Sequence, residues 1–161
     1  MKPVVIVLSL LLLTSAVSPA DQTLHLNALS SEDQLCLFIA SRARHYEFDL
    51  SIIHKMIDIE SMWNAETTSS EGAVGLMQVM LSTAKDVLGK KCLTGETLKD
   101  PFLNVECGIK YLAQLRKYFK GNLMLALTSY NRGIGNVRTD LKLGKDPVNN
   151  YARKIMKGSN K

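Results

Sequence analysis

The stretch that decides the fold is Ser51-Ile52-Ile53-His54-Lys55-Met56-Ile57-Asp58-Ile59-Glu60-Ser61-Met62-Trp63. Its apolar residues recur with the period of an α-helix. At 100° per residue, five of them cover an arc of about 160°: Ile52, Ile53, Met56, Ile57 and Ile59. Such a one-sided stripe is typical of a helix packed against a protein core. The stretch therefore predicts a core-facing helix from Ser51 to about Met62.

One acidic residue lies on the apolar side of this helix. Glu60 stands at i+7 from Ile53 and falls near the middle of the arc. Burying an unpaired carboxylate is costly, so such a residue is neutralised, paired or placed at the wall of a cleft. A desolvated Glu holds its proton to higher pH, which a general acid for glycosidic bond cleavage requires. Glu60 is thus the candidate catalytic residue; a side chain that reaches water from the helix end, or pairs with an Arg, fits the same position.

Capping residues and periodicity predict further helices along the chain. They begin at Ser31, at Ser82 with a stop at Gly89, at Asp100-Pro101, at Asn122 with a stop at Gly133 and Gly135, and at Asp146-Pro147. No long alternating strand and no internal repeat is found. The fold class predicted is all-α, as a single compact helical domain.

The longest stretch without a helical period runs from Asn64 to Gly75 and is rich in Thr, Ser and Gly. Loops of this length are usually functional or disordered. Ordinary glycosidases add a second carboxylate, as nucleophile or to activate water. Glu66 and Glu71 are the nearby candidates in this loop, and the sequence leaves open whether either reaches Glu60.

The N-terminal residues have the pattern of an export signal. Lys2 precedes an apolar run from Val4 to Leu13, and Ser18-Pro19-Ala20 offers small residues at the positions that signal peptidases inspect. The run is too short to span a bilayer, which needs about 20 residues. We expect residues 1–20 to be a signal peptide, with Ala16 as a second cleavage site and an uncleaved anchor as the alternative. The product is then expected to be periplasmic or secreted.

The chain has three cysteines, Cys36, Cys92 and Cys107, and an exported protein meets an oxidising compartment. A Cys92–Cys107 disulfide would close a loop of about 15 residues and stabilise the fold by roughly 3 kcal/mol in the chain-entropy model. We favour this pairing, with the other two single bridges left open and Cys36 as a thiol.

The formal net charge of +5 raises the question of an anionic partner. The basic residues are scattered, aromatic residues are few, and no zinc-finger spacing or aromatic-rich sheet motif is found, so nucleic acid is not the expected partner. An anionic envelope polymer or a membrane surface suits the charge better, as does simple solubility. The histidines show no metal-ligand spacing, and no metal is expected.

An ordered series of residues resembles the soluble lytic transglycosylase family, which has a goose-type lysozyme-like fold. The series begins with Glu60-Ser61-Met62-Trp63-Asn64, Ser69 and the run from Gly72 to Met80. It continues with Asp100-Pro101, Asn104, Gly108, Tyr111-Leu112, Gly121-Asn122, Ala126-Leu127, Tyr130-Asn131 and Gly133. The resemblance extends from about Ser51 to Tyr151, and it implies that residues 21–161 form the catalytic domain.

The resemblance implies a function and roles for particular residues. Enzymes of this family cleave the β-1,4 bond between N-acetylmuramic acid and N-acetylglucosamine in peptidoglycan without hydrolysis, forming a 1,6-anhydro product and needing no cofactor. Glu60 would be the general acid and base. The residues implied in substrate binding or in contact with Glu60 are Ser69, Met77, Gln78, Met80 and Tyr130.

Several of these positions also suit structural roles. Ser69 is equally compatible with capping a turn, and Met77 and Tyr130 with the core. Three departures from the family pattern are Ala65 and Leu81, where proline is frequent, and Arg132, where alanine is usual. Arg132 is compatible with contact to substrate carboxylates or with an exposed side chain of no role.

Other functions fit parts of the sequence. The nearest is a lysozyme that hydrolyses the same bond with Glu66 or Glu71 as the helper. An inactive peptidoglycan-binding assembly protein would keep the fold as a scaffold, and a membrane-active protein is not favoured by the helix patterns. We expect a monomer that acts on glycan strands without stable membrane insertion. An envelope-spanning secretion or pilus assembly is a partner compatible with export.

Overall fold

In the computed structural model, seven α-helices hold most of the regular structure of the described residues, 29–89 and 93–157. They are α1 (Ser31–His45), α2 (Leu50–Ser61), α3 (Leu81–Leu88), α4 (Pro101–Tyr118), α5 (Leu123–Arg132), α6 (Ile134–Lys142) and α7 (Asn150–Lys157). A 3₁₀ helix, Glu96–Lys99, precedes α4. The predicted signal peptide lies outside the described residues, and no helix within them is both long enough and apolar enough to cross a bilayer. The all-α prediction is confirmed.

The described residues divide into two units, one that ends at Ser41 and one that begins at Arg42, and α1 runs through the boundary between them. In the first unit, Ser30 caps the start of α1, because its hydroxyl oxygen accepts a hydrogen bond from Asp33 N at 3.1 Å. The second unit holds the other six α-helices of the described residues and the candidate site.

Helices α4 and α5 begin where their sequence signals predict, and α2 begins at Leu50, one residue before the predicted Ser51. Asp49 caps α2 by accepting from Ser51 N at 2.8 Å. Asp100 caps α4 by accepting from Leu103 N at 2.7 Å, followed by Pro101 in the first turn. Asn122 caps α5 by accepting from Leu125 N at 3.0 Å. Each cap satisfies an amide that has no partner within its helix.

Two predicted helix starts were wrong, and one helix was missed. Ser82 is not the cap of α3, because the helix begins at Leu81 and Met80 occupies the N-cap position without a side-chain hydrogen bond. Helix α6 was not predicted at all. Asp146-Pro147 does not start the last helix: Asp146 accepts from Val148 N at 3.0 Å in a turn, and Asn149 accepts from Ala152 N in the first turn of α7.

The second unit is organised around α4 and α5. Helix α4 packs against α3 and α5, and α5 in turn packs against α6 and α7, while α7 also contacts α2. The buried side chains of these helices form a continuous apolar core: Ile53, Met56, Ile57, Val105, Ile109, Leu112, Leu127, Val137 and Ile155. Helix α7, from a distant part of the chain, therefore packs directly against α2.

A small antiparallel hairpin follows α2. Strands β1 (Ala73–Val74) and β2 (Val79–Met80) pair Ala73 with Met80 and Val74 with Val79. Thr68 adds an isolated bridge to Val74. The predicted loop is thus an ordered, hydrogen-bonded segment that lies between α2 and α3.

The predicted Cys92–Cys107 disulfide is not present in the structure. Cys107 is a free thiol with none of its surface exposed, because it lies on the core side of α4. Burial raises the pKa of the Cys107 thiol to about 12. Cys92 lies outside the described residues. Cys36 is free and exposed on α1.

Candidate active site

Glu60 lies in the last turn of α2, next to a fully buried apolar face. Ile53, Met56 and Ile57 precede it on that face and have no exposed surface. Burial raises the pKa of Glu60 above its usual range, and the phenol of Tyr151 partly offsets this shift. The carboxyl group is therefore desolvated, as the sequence pattern predicts, and holds its proton closer to neutral pH than an exposed Glu does.

Two tyrosines from later helices converge on Glu60. Burial, followed by the charge of Glu60, raises the pKa values of Tyr130 on α5 and Tyr151 on α7 well above the usual range. The Tyr151 hydroxyl is buried and makes no hydrogen bond of normal geometry within the described residues. It faces Glu60 closely enough to favour the ionised carboxylate. Apo active sites often show such loose contacts, which tighten when substrate binds.

The hydroxyl of Tyr130 has a different partner from the one expected. It donates to the carbonyl oxygen of Met77 at 2.8 Å. Tyr130 therefore connects α5 to the hairpin and also stays close enough to Glu60 to be influenced by its charge. Its ring lies 5.4 Å from that of Tyr111 on α4, centroid to centroid.

Two buried polar side chains hold the hairpin beside α2. The Ser61 hydroxyl, next to Glu60, donates to Leu76 O at 2.9 Å. Asn104 on α4 donates to Val74 O and to Leu98 O at 2.8 Å each, and its side-chain oxygen accepts from Met77 N at 2.8 Å. All these groups are buried, so each hydrogen bond satisfies a backbone group that would otherwise be unpaired.

Glycines make this close packing possible. A Cβ at Gly75 would lie 2.3 Å from the Asn104 amide nitrogen, and φ there is +80°. A Cβ at Gly108 would lie 2.6 Å from the sulfur of Met77 and 2.9 Å from the Tyr130 hydroxyl. Helix α4 therefore approaches Met77 and α5 closely at Gly108, and the hairpin approaches Asn104 closely at Gly75.

The structure places the polar groups of Ser69 and Gln78 within the hairpin segment. The Ser69 hydroxyl oxygen accepts from Ala73 N at 3.1 Å, which is the turn-capping role. The Gln78 amide donates to Thr67 O at 3.1 Å and to Gly75 O at 3.0 Å, with φ of +46° at Gln78 itself. Both side chains shape the segment that follows Glu60, and neither is brought into hydrogen-bond contact with it.

The two methionines differ in environment. Met77 is fully buried and packs against Gly108, so its side chain belongs to the core. Met80 is 39% exposed at the N-terminal end of α3. Of the two, Met80 has the surface to contact a ligand.

The acids proposed as helpers are engaged elsewhere. Glu66 is exposed and forms an ion pair with Lys99 at 3.3 Å. Glu71 is exposed, accepts from the Ser70 hydroxyl at 2.8 Å, and has its pKa lowered by that hydrogen bond first. Neither acid has a hydrogen bond or ion pair with Glu60 among the described residues.

Arg132 acts as a brace at the end of α5. It donates to Pro147 O at 2.8 Å and forms an ion pair with Asp140 on α6 at 2.8 Å. Its guanidinium therefore binds two groups of the protein itself. The sequence instead suggests contact with substrate carboxylates or an exposed side chain of no role.

Sequence reasoning missed the contributions of Tyr151, Ser61 and Asn104 to this site. Tyr151 carries the signal of an inward-facing aromatic residue, which does not distinguish a core position from a site. Asn104 is the more informative, because it shares the apolar side of α4 with Gly108 and Leu112 at i+4 and i+8. It is a polar residue on an apolar face, the same signal that identifies Glu60.

Within residues 29–89 and 93–157, no three His, Cys, Asp or Glu side chains lie close enough together to hold a metal ion. The reactive group that the site presents is a desolvated carboxylic acid with two phenols beside it.

The described residues form a helical fold in which a desolvated acid lies beside an anchored hairpin. Residues 38–151 match the family model described as the transglycosylase SLT domain. The chain therefore belongs to the transglycosylase SLT domain family.

Individual relatives agree with this assignment. The chain is 37% identical over 84 residues to the soluble lytic murein transglycosylase of Escherichia coli K12. The matched stretch covers 50% of this chain and 13% of that protein. An inactive mutant of the lytic transglycosylase Slt from Pseudomonas aeruginosa matches 74% of this chain and 22% of its own, with 27% identity and a TM-score of 0.62. The structure of the 70 kDa soluble lytic transglycosylase in complex with bulgecin A matches 77% of this chain and 23% of its own, with 26% identity and a TM-score of 0.64. This chain spans less than a quarter of each.

Proposed function

We propose that this protein is a peptidoglycan lytic transglycosylase and that Glu60 is its general acid and base. The observation that carries the proposal is the desolvated Glu60 carboxyl, with its raised pKa, on the apolar face of α2. Family membership supports the reaction class.

The proposed reaction needs one proton shuttle. Protonated Glu60 donates its proton to the glycosidic oxygen as the bond from C1 of N-acetylmuramic acid breaks. The 6-hydroxyl of the same sugar then attacks C1, and its proton returns to the Glu60 carboxylate. The products are a 1,6-anhydromuramoyl end and a free N-acetylglucosamine hydroxyl, so atoms balance without water.

The surroundings of Glu60 favour this route over hydrolysis. An intramolecular nucleophile has a high effective concentration and needs no second carboxylate to activate it. The two acids that could assist a water molecule, Glu66 and Glu71, are exposed and bonded to Lys99 and Ser70. Tyr151 is suited to hold the Glu60 carboxylate after its proton has left.

Product analysis in isotopic water tests the reaction type. Purified sacculi are digested in water enriched in ¹⁸O, and the released muropeptides are measured by mass spectrometry. We expect anhydro products that are lighter than hydrolysis products by one water and contain no ¹⁸O. Reducing ends that carry ¹⁸O would contradict the proposal and favour a lysozyme.

Matched variants test the role of Glu60. Glu60→Gln removes the transferable proton and keeps the shape, so the rate should fall roughly 100-fold or more. Glu66→Gln and Glu71→Gln are the controls and should cleave at near the wild-type rate. A Glu60→Gln protein with full activity would remove Glu60 from the mechanism. Binding of sacculi without cleavage by the wild type would favour the assembly-protein alternative.

The placement of the protein in the cell is part of the proposal. We propose that residues 1–20 are cleaved on export and that residues 21–161 act as a monomer on glycan strands. The apolar run at residues 4–13 and the small residues before Ala20 support this proposal. An envelope-spanning assembly remains a partner compatible with it. Intact mass measurement of the exported protein tests cleavage after Ala20 against Ala16.

A further inference from the structure

The C-terminal end of α6 carries a surface that the proposed reaction does not use. Leu141 is 43% exposed and Leu143 is 63% exposed. Arg138 and Lys142 share one side of the helix end with Leu141, and Lys145 follows two residues after Leu143. We call these five residues the basic leucine tip.

The backbone of the tip is well defined by hydrogen bonds. Gly144 N donates to Leu141 O at 3.1 Å and Lys145 N donates to Asp140 O at 2.9 Å, with φ of +68° at Gly144. This is a Schellman motif, which normally places an apolar residue after the glycine against the helix. Lys145 occupies that position here, so the motif does not shield the leucines.

The charge of the tip is positive and unpaired. None of its three cations, Arg138, Lys142 and Lys145, forms an ion pair within the described residues. The two neighbouring acids are neutralised by other arginines, Asp140 by Arg132 at 2.8 Å and Asp146 by Arg153 at 3.2 Å.

We propose that the basic leucine tip docks this protein on an anionic lipid surface. Leucines that enter the boundary between headgroups and acyl chains, flanked by cations that contact lipid phosphates, are the chemistry of peripheral membrane binding. A polyanion without apolar groups would engage the cations and leave the leucines in water. Docking of this kind is reversible and leaves the hairpin and α2 unaltered.

Vesicle binding tests the proposal with the full chain. Partition coefficients are measured by co-sedimentation with phosphatidylcholine vesicles and with vesicles of equal parts phosphatidylcholine and phosphatidylglycerol. We expect stronger binding to the anionic vesicles. The double variants Lys142→Gln/Lys145→Gln and Leu141→Ser/Leu143→Ser should each bind them about tenfold more weakly. Lys85→Gln/Lys117→Gln, which removes two exposed cations elsewhere, is the matched control and should bind within about threefold of wild type.

A second readout reports the tip itself, whatever the apolar run at residues 4–13 contributes. Leu143→Trp adds an indole to a chain with a single tryptophan, and its emission should shift to shorter wavelength when anionic vesicles are added. Absence of that shift would overturn the proposal. So would a leucine variant that binds like wild type while the lysine variant does not, since that result assigns the tip to a polyanion.

Discussion

Burial raises the pKa of Glu60, and the same burial makes its ionised form unfavourable in the folded protein. Below the unfolded pKa of about 4.3, Glu60 is protonated in both states and costs no stability. As pH rises through the higher folded-state pKa, the native state must accept a desolvated charge, so stability is lost. The burial that raises the pKa of Glu60, and so suits it to act as an acid, therefore lowers the stability of the folded protein near neutral pH.

The Glu60→Gln variant should regain the stability that the buried charge of Glu60 costs. At pH 7 we expect it to be more stable than wild type by about 1 kcal/mol, or roughly 2–4 °C in Tm. At pH 4 the difference should be small, because both side chains are then neutral. Thermal unfolding across that pH range measures the effect. A gain of equal size at both pH values would contradict the desolvation of Glu60.

Removal of the Tyr151 hydroxyl should shift the pH dependence of cleavage. The phenol lowers the pKa of Glu60, so Tyr151→Phe should raise that pKa further. Because Glu60 must begin protonated, the alkaline limb of the kcat/KM profile should then move to higher pH, with a lower maximum rate. Tyr118→Phe, at an exposed position, is the control and should leave the profile unchanged. A limb that stays in place would show that Tyr151 does not act through Glu60.

At the scale of elements, α4 is fitted to the hairpin at Gly108. Gly108→Ala would place a methyl group 2.6 Å from the Met77 sulfur and 2.9 Å from the Tyr130 hydroxyl. We expect a loss of about 1–3 kcal/mol in the free energy of unfolding, measured by denaturant titration, and a fall in cleavage rate. Alanine is the better helix former, so a loss can only come from crowding.

Gly135→Ala provides the matched control for Gly108→Ala. Gly135 lies in the first turn of α6 with nothing within 4 Å of its added Cβ and without a positive φ. We expect it to be neutral or to stabilise the protein by up to about 1 kcal/mol. If the two substitutions had equal effects, the close approach of α4 to the hairpin would not matter.

The helices were predictable from sequence to the extent that their signals are local. Asp100-Pro101 and Asn122 mark helix starts because a side-chain cap is a contact within one turn. Helix α6 gave no comparable signal, since its N-cap is Gly133, it contains Gly135 and it buries only Val137. Asp146-Pro147 has the composition of a helix start and forms a turn instead, because Arg132 fixes Pro147 from another helix.

The candidate site shows the same limit. Periodicity alone places Glu60 on an apolar face, because one helix determines the relation between that residue and its neighbours. Tyr151 reaches it from a helix some ninety residues later in the chain, and only the packing of α2 against α7 brings them together. The hairpin roles of Ser69 and Gln78 depend on backbone partners that the sequence does not specify.

For the molecule as a whole, the site depends on long-range packing of α2, α4, α5 and α7 around one core. No disulfide joins these elements within the described residues. Their arrangement rests on apolar burial and on buried hydrogen bonds such as those of Asn104 and Tyr130. We therefore expect α4 and its neighbours to open together, in a single cooperative transition.

The thiol of Cys107 offers a probe of that transition. It is fully buried on α4 and its pKa is raised to about 12, so the native protein should protect it from alkylation at pH 8. The exposed Cys36 should be alkylated first, at a rate slowed because partial burial and the charges of Asp33 and Glu32 raise the pKa of its thiol. Peptide mapping by mass spectrometry separates the two.

With increasing denaturant, labelling of Cys107 should accelerate in step with global unfolding measured by circular dichroism. Labelling that is insensitive to denaturant would indicate local opening of α4. If Cys107 stayed unlabelled in the fully unfolded, unreduced protein, its thiol would be oxidised, which would contradict the free thiol of the structure.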